Sequence, residues 1–138
     1  MQTEPRYDDV VREVCAFLAE RIAAARAAGV EDKTLAIDPG LGFGKTMEHN
    51  WALLAGLREL TALRRPVLVG ASRKRFLGAL CDRPVGDRMA ASLAAAVAAV
   101  ERGATIIRAH DVKETCDVVQ VADKLLKTTQ GMDYGSMD

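Results

Sequence analysis

Three clusters of polar residues and glycines, each directly behind a short apolar run, carry the chemistry available to this chain. Asp38-Pro39-Gly40-Leu41-Gly42-Phe43-Gly44-Lys45 follows Thr34 to Ile37. Gly70-Ala71-Ser72-Arg73-Lys74-Arg75 follows Pro66 to Val69. Arg108-Ala109-His110-Asp111 follows Ala104 to Ile107. Together they offer one strand-end carboxylate, several cations and glycine-rich backbone, which suits an anionic ligand that also carries a polar ring. A carboxylate such as Asp38 matches a pair of N–H donors on an amino-substituted ring; its plainer role is a turn residue before Pro39. Glycines at 40, 42 and 44 let backbone approach a ligand closely. A phosphate-binding P-loop is excluded, because Pro39 falls where its first glycine belongs. The dinucleotide fingerprint is excluded too, because Lys45 replaces its third glycine. Arg108 and His110 alternate along a strand, so both point one way and can clamp an oxyanion or phosphate. The competing role for Arg108 is a structural pair with Asp111. Ser72 can cap a helix and also touch ligand. Arg73, Lys74 and Arg75 sit at a strand end, where a charge run gains functional weight over a solvated face. His49 and Trp51 read as structural.

The elements that must position these groups are an alternation of helices and strands. Val10, Val14, Phe17, Leu18 and Ile22 fall on one stripe, predicting a helix over Asp8 to Ala28 that stops at Gly29. Thr34 to Asp38 reads as a strand, Pro39 to Lys45 as a loop, and His49 to Leu60 as a helix. Pro66 to Gly70 is a second strand with little alternation, as expected where both faces are covered. Ser72 caps a short helix through Leu80, and a loop from Cys81 to Gly86 follows. Asp87 caps an Ala-rich helix to Arg102, ended by Gly103. Ala104 to Arg108 is a third strand. Asp111 and Glu114 have capping-box spacing before a helix through Leu125. Thr128 to Asp138 reads as a frayed tail. Such alternation implies a parallel sheet with right-handed crossovers, whose strand ends share one face. Asp38, Ser72, Lys74, Arg108 and His110 should therefore converge. Three strands make either a small open sheet or a piece of a larger barrel, since a complete (β/α)8 barrel takes about 250 residues.

With 138 residues the chain is about one domain. Its 49% hydrophobic content supports a core, and 19 basic against 19 acidic residues give no net charge. That balance removes the electrostatic case for nucleic acid or an anionic membrane as partner. No apolar run is long enough to span a membrane. The N-terminus lacks a signal core, so the expected compartment is the cytoplasm. Cys15, Cys81 and Cys116 suit neither a disulfide framework nor a zinc site, and read as small buried apolar residues in a reducing cytosol.

The three strand-end motifs, in this order and spacing, resemble the dihydropteroate synthases, the pterin-binding enzymes of folate biosynthesis that sulfonamides target. The resemblance extends over nearly the whole chain. It implies an α/β fold, the C-terminal part of a (β/α)8 TIM barrel: strands six to eight with their helices, incomplete as a barrel. Residues 1–127 would be this portion and 128–138 a flexible tail. Met1-Gln2 and Pro5-Arg6-Tyr7 resemble the segment after strand five, so Met1 reads as an internal methionine of a longer protein. The implied reaction condenses dihydropterin pyrophosphate with p-aminobenzoate, giving dihydropteroate and pyrophosphate. The resemblance assigns Asp38 and Lys74 to the pterin ring, and Ser72 and Arg73 to p-aminobenzoate or a sulfonamide, with Gly42 and Phe43 in the loop nearby. It assigns Arg108 and His110 to pyrophosphate, with Arg108 also against the pterin. Lys74, Arg108 and Asp38 would carry catalysis. It also implies Mg²⁺ supported from the N-terminal part, no metal ligand in this chain, a homodimeric full-length enzyme, and no activity of these residues alone. Two alternatives stand beside it: a free-standing pterin- or phosphate-binding module that oligomerises, and a methyl-folate-binding methyltransferase, against which Ser72-Arg73-Lys74 weighs.

Overall fold

A computed structural model of the chain describes residues 5–131. The resemblance noted for Met1-Gln2 falls outside that range. Helix α1 spans Val10–Ala27. Asp9 caps it by accepting the Arg12 N–H, and Gly29, at φ +88°, ends it. Val10, Val14, Leu18 and Ile22 are buried as the stripe predicts, but Phe17 is 58% exposed. The cysteines are not buried as expected: Cys15 is half-buried, and Cys81 and Cys116 are exposed. Helix α2 spans Met47–Ala55, two residues earlier than expected, because Thr46 caps it. His49 completes the cap: its Nδ1 accepts the Thr46 N–H while its own N–H donates to Thr46 Oγ1. The expected continuation to Leu60 breaks at Gly56 into a 3-10 segment, Leu57–Leu63. A Cβ at Gly56 would lie 2.9 Å from a Val11 methyl, so this glycine lets α2 pass close against α1. Trp51 packs edge-on to Phe76 at the core.

The strands are shorter than the apolar runs that announce them. β1 is Leu68–Val69 and β2 is Ile106–Ile107, paired in parallel with Leu68 opposite Ile106. The first expected strand contributes a single parallel bridge, Ile37 to Val67, after a 3-10 turn at Asp32–Thr34 takes its beginning. Arg26 and Arg65 hold that turn through Asp32. The three segments thus lie side by side in chain order. An open doubly wound sheet reverses its order at a switch point, whereas consecutive neighbours are the pattern of barrel winding.

The cover is one-sided. Ile37, Val67, Val69 and Ala71 are buried in the same cluster as α1, α2 and the 3-10 segment. Successive strand residues face opposite ways. Leu68 and its partner Ile106 therefore share the other face, where Leu68 is half-buried and Ile106 is 40% exposed. The expectation of a sheet covered on both faces does not hold among the described residues.

Helix α3 is Arg75–Cys81, not Ser72 to Leu80, because Arg73 takes a left-handed backbone at φ 58° that no helix tolerates. Ser72 is consequently not a helix cap. Helix α4 is Met89–Glu101, and Asp87 does not cap it: Asp87 ends a 3-10 turn, Val85–Asp87. Helix α5 spans Val112–Gly131, so Thr128 to Gly131 are helical where a frayed tail was expected. Thr128 and Thr129 bond back to the carbonyls of Lys124 and Leu125. The rest of the expected tail lies outside the described residues.

Candidate active site

The carboxyl ends of the three parallel segments open on one face, and each sends a loop there. In the first loop Asp38 Oδ1 accepts the Gly40 N–H at 2.7 Å, a local turn bond. Gly40, Gly42 and Gly44 all have positive φ, which explains three glycines in five residues. Two residues fix this loop. Lys45 folds back and donates from Nζ to the carbonyls of Gly40 and Phe43, both at 3.0 Å. Burial pushes its ammonium below the usual lysine range, and the nearby Asp38 carboxylate opposes that. Asn50 of α2 is buried; its Oδ1 accepts the Gly42 N–H at 2.6 Å and its Nδ2 donates to the Thr46 carbonyl. So held, Phe43 stands 68% exposed with the Lys74 ammonium 4.1 Å from its ring centroid, a cation–π contact. A Cβ on Gly42 would lie 3.0 Å from Lys74 Cδ, so the glycine leaves room for that lysine stem.

The second and third loops are stitched together. Ser72 Oγ accepts the His110 backbone N–H at 3.2 Å and lies 2.9 Å from His110 Nδ1. Arg73 pairs with Asp111 at 2.8 Å. Asp111 is thus spent on Arg73, not on Arg108, and Arg108 makes no ion pair among the described residues. The Arg73 guanidinium, by hydrogen bonding, holds the Asp111 carboxyl below its ordinary range. A carboxylate with a lowered folded pKa adds stability above its unfolded pKa and loses it as pH falls through the folded one. The stability advantage over Asp111→Asn should therefore be level near neutrality and shrink below about pH 4. Urea titrations of both proteins across that range check this; an advantage that grows on acidification would contradict the pairing.

Gly70, Ser72, Arg73, Lys74, Arg108 and His110 line one cleft of about 440 Å³. Three permanent cations and a histidine without a carboxylate in the lining make it suited to a multiply charged anion. Gly42 and Lys74 line an adjoining opening of about 410 Å³, so Lys74 belongs to both. Asp38 does not line either; it borders a third opening with Tyr7, Phe17 and Lys45. A larger cavity of about 500 Å³ lies between β2 and α5, walled by Val112, Cys116 and Val119. Its lining is mainly apolar, and it shares Ala109 with the cleft.

Reading by motif passed over Asn50 and gave Lys45 no role of its own. Asn50 had one signal: an amide inside the apolar spacing of a helix. Asn50→Ala should remove two part-buried hydrogen bonds at once, from the Gly42 N–H and to the Thr46 carbonyl, costing about 1–3 kcal/mol. Urea unfolding measures this, and an unchanged midpoint would contradict the assigned bonds.

A family model described as pterin binding enzyme matches residues 1–110. Dihydropteroate synthase of Escherichia coli (strain K12) is 44% identical over 134 residues, covering 97% of this chain and 48% of that protein. The structure of dihydropteroate synthase from Xanthomonas albilineans in complex with 7,8-dihydropteroate superposes with a TM-score of 0.87 at 47% identity, covering 91% of this chain and 48% of that one. The Yersinia pestis dihydropteroate synthase with a sulfonamide drug complex gives 0.89 at 42% identity, covering 92% and 46%. The chain spans about half the length of the curated relatives it matches.

Proposed function

This chain belongs to the pterin-binding enzymes, and from that premise we propose that it forms the C-terminal half of a dihydropteroate synthase. The segments around Ile37, β1 and β2 are then strands six, seven and eight of the barrel. Their side-by-side order and one-sided cover support this. The observation that carries the reading is the single cleft shared by Ser72, Arg73, Lys74, Arg108 and His110.

In this reading Asp38 and Lys74 hold the pterin ring, and Ser72 and Arg73, with Phe43 and Gly42 beside them, receive p-aminobenzoate. Arg108 and His110 take the pyrophosphate. The amine nitrogen attacks the pterin methylene carbon, forming the C–N bond as the C–O bond to pyrophosphate breaks. The surplus amine proton passes to solvent. Negative charge grows on the departing pyrophosphate, where Arg108 and His110 stabilise it, and such preorganised charge is often the largest catalytic contribution. Asp38 offsets positive charge developing on the pterin. An aromatic amine is nucleophilic enough to need no general base.

The Mg²⁺ of the family finds no built site here: no group of three or more His, Cys, Asp or Glu among the described residues could hold a metal ion. In the same reading the complete enzyme is a homodimer working in the cytoplasm. Among the described residues, no helix is long and apolar enough to cross a membrane.

Sulfonamide inhibition of the complete polypeptide tests the assignment. Inhibition competitive with p-aminobenzoate is expected. Binding of a pterin that no sulfonamide disturbs would favour the methyltransferase reading, in which no free p-aminobenzoate reacts.

A further inference from the structure

We infer that Arg88 and Ser92, outside the cleft, are positioning residues that hold Arg73 in its left-handed conformation and so aim Ser72, Arg73 and Lys74 into the site. Arg73 is the third residue of a tight turn closed by the Lys74 N–H on the Ala71 carbonyl at 3.1 Å. Its φ of 58° belongs to a position where glycine is usual and a residue with a Cβ is disfavoured. Glycine there would lose the guanidinium, so the strained backbone must be secured from outside.

Both polar backbone groups of Arg73 are secured by the start of α4. The Arg73 N–H donates to Ser92 Oγ at 2.9 Å, and its carbonyl accepts from Arg88 Nη1 at 3.0 Å. Neither partner is free to turn elsewhere. Ser92 is buried and its hydroxyl proton is committed to the Arg88 carbonyl at 2.6 Å, so Oγ faces Arg73 as an acceptor. Arg88 is steadied by a second bond, Nε to the Arg83 carbonyl at 3.1 Å. Its guanidinium passes over Gly78 of α3, where any Cβ would collide with it. Ser92 is also the one hydroxyl in the most apolar run of the sequence, Met89 to Val100. A core position kept polar there has its purpose in the Arg73 amide.

The inference rests on the proposed role of Arg73 at p-aminobenzoate, and two readouts in the complete polypeptide separate the claims. The first is hydrogen exchange of the Arg73 amide, which needs no activity. Ser92→Ala should speed it, and Ser92→Thr should restore protection. Equal protection in wild type and Ser92→Ala would overturn the inference even if no dihydropteroate is made, an outcome that would separately refute the functional reading. The second is kinetics. Ser92→Ala should raise KM for p-aminobenzoate about ten-fold, the scale of a slight misplacement of a binding group, with KM for dihydropterin pyrophosphate changed less than about two-fold. In an Arg73→Asn background, where asparagine tolerates the left-handed backbone, the Ser92→Ala effect should vanish. An undiminished effect there would show that Ser92 does not act through Arg73. Should Ser92→Ala fail to fold, Arg88→Lys serves: an ammonium cannot reproduce the planar fork that reaches both carbonyls. The same KM change is expected of it, and wild-type constants would overturn the proposal.

Discussion

Lys74→Ala and Arg108→Ala, each made in the complete enzyme, should lower kcat/KM by about 10²–10³, the loss typical when one preorganised charge or donor is removed from a developing charge. The two should differ in character. Arg108 faces the cleft without an ion pair of its own among the described residues, so its charge is available to the departing pyrophosphate. Its loss should fall on kcat. Lys74 lies between the glycine loop and the cleft, its stem against Gly42 and its ammonium over Phe43. Removing it deletes a ligand contact and also frees the loop, so KM for the pterin substrate should rise along with the fall in kcat. Lys74→Arg should not rescue, because a planar guanidinium fork does not reproduce the compact point charge of the ammonium. Steady-state kinetics with both substrates varied checks each variant. Near-normal kcat/KM in both would contradict the site assignment.

The second large effect is an absence: the isolated 138-residue chain should make no dihydropteroate. Three parallel segments are present where a barrel has eight strands. Ile106 and half-buried Leu68 lie on a sheet face without cover among the described residues. Among the described residues β2 pairs on one side only, and the mainly apolar cavity walled by α5 adjoins it. Such edges and faces recruit other chains. The purified chain should bind a hydrophobic dye strongly and populate oligomers in sedimentation experiments. Product formation by a monomeric chain would contradict the half-barrel reading; an active oligomer would favour the free-standing module.

Much of the fold was legible because its signals are local. The α1 stripe, Gly29 as a stop and the helix–strand alternation all follow from spacing and backbone preference. The errors arose where tertiary contacts overrode local preference. Phe17 has the spacing of a core residue, yet among the described residues it stays exposed, with the Arg21 guanidinium over its ring. Ser72 has the profile of a helix cap, but His110, 38 positions away in sequence, claims its hydroxyl. Asp111 has capping-box spacing, but Arg73 claims its carboxylate. Asp38, at the end of the first parallel segment, borders the opening beside Lys45, and its Oδ1 accepts the Gly40 amide. The strand-end residues themselves were readable because parallel α/β topology forces their loops onto one face. The residues that hold those loops, Asn50, Arg88 and Ser92, were hidden because their partners are remote in sequence or are backbone groups.

The most direct measurement of the central claim joins this chain behind the N-terminal half of Escherichia coli dihydropteroate synthase and follows conversion of p-aminobenzoate to dihydropteroate. Product is expected from the joined protein, from neither half alone, and not above background after Lys74→Ala. A folded, soluble joined protein that binds the pterin substrate but forms no dihydropteroate would contradict the assignment of this chain as the C-terminal half of that enzyme.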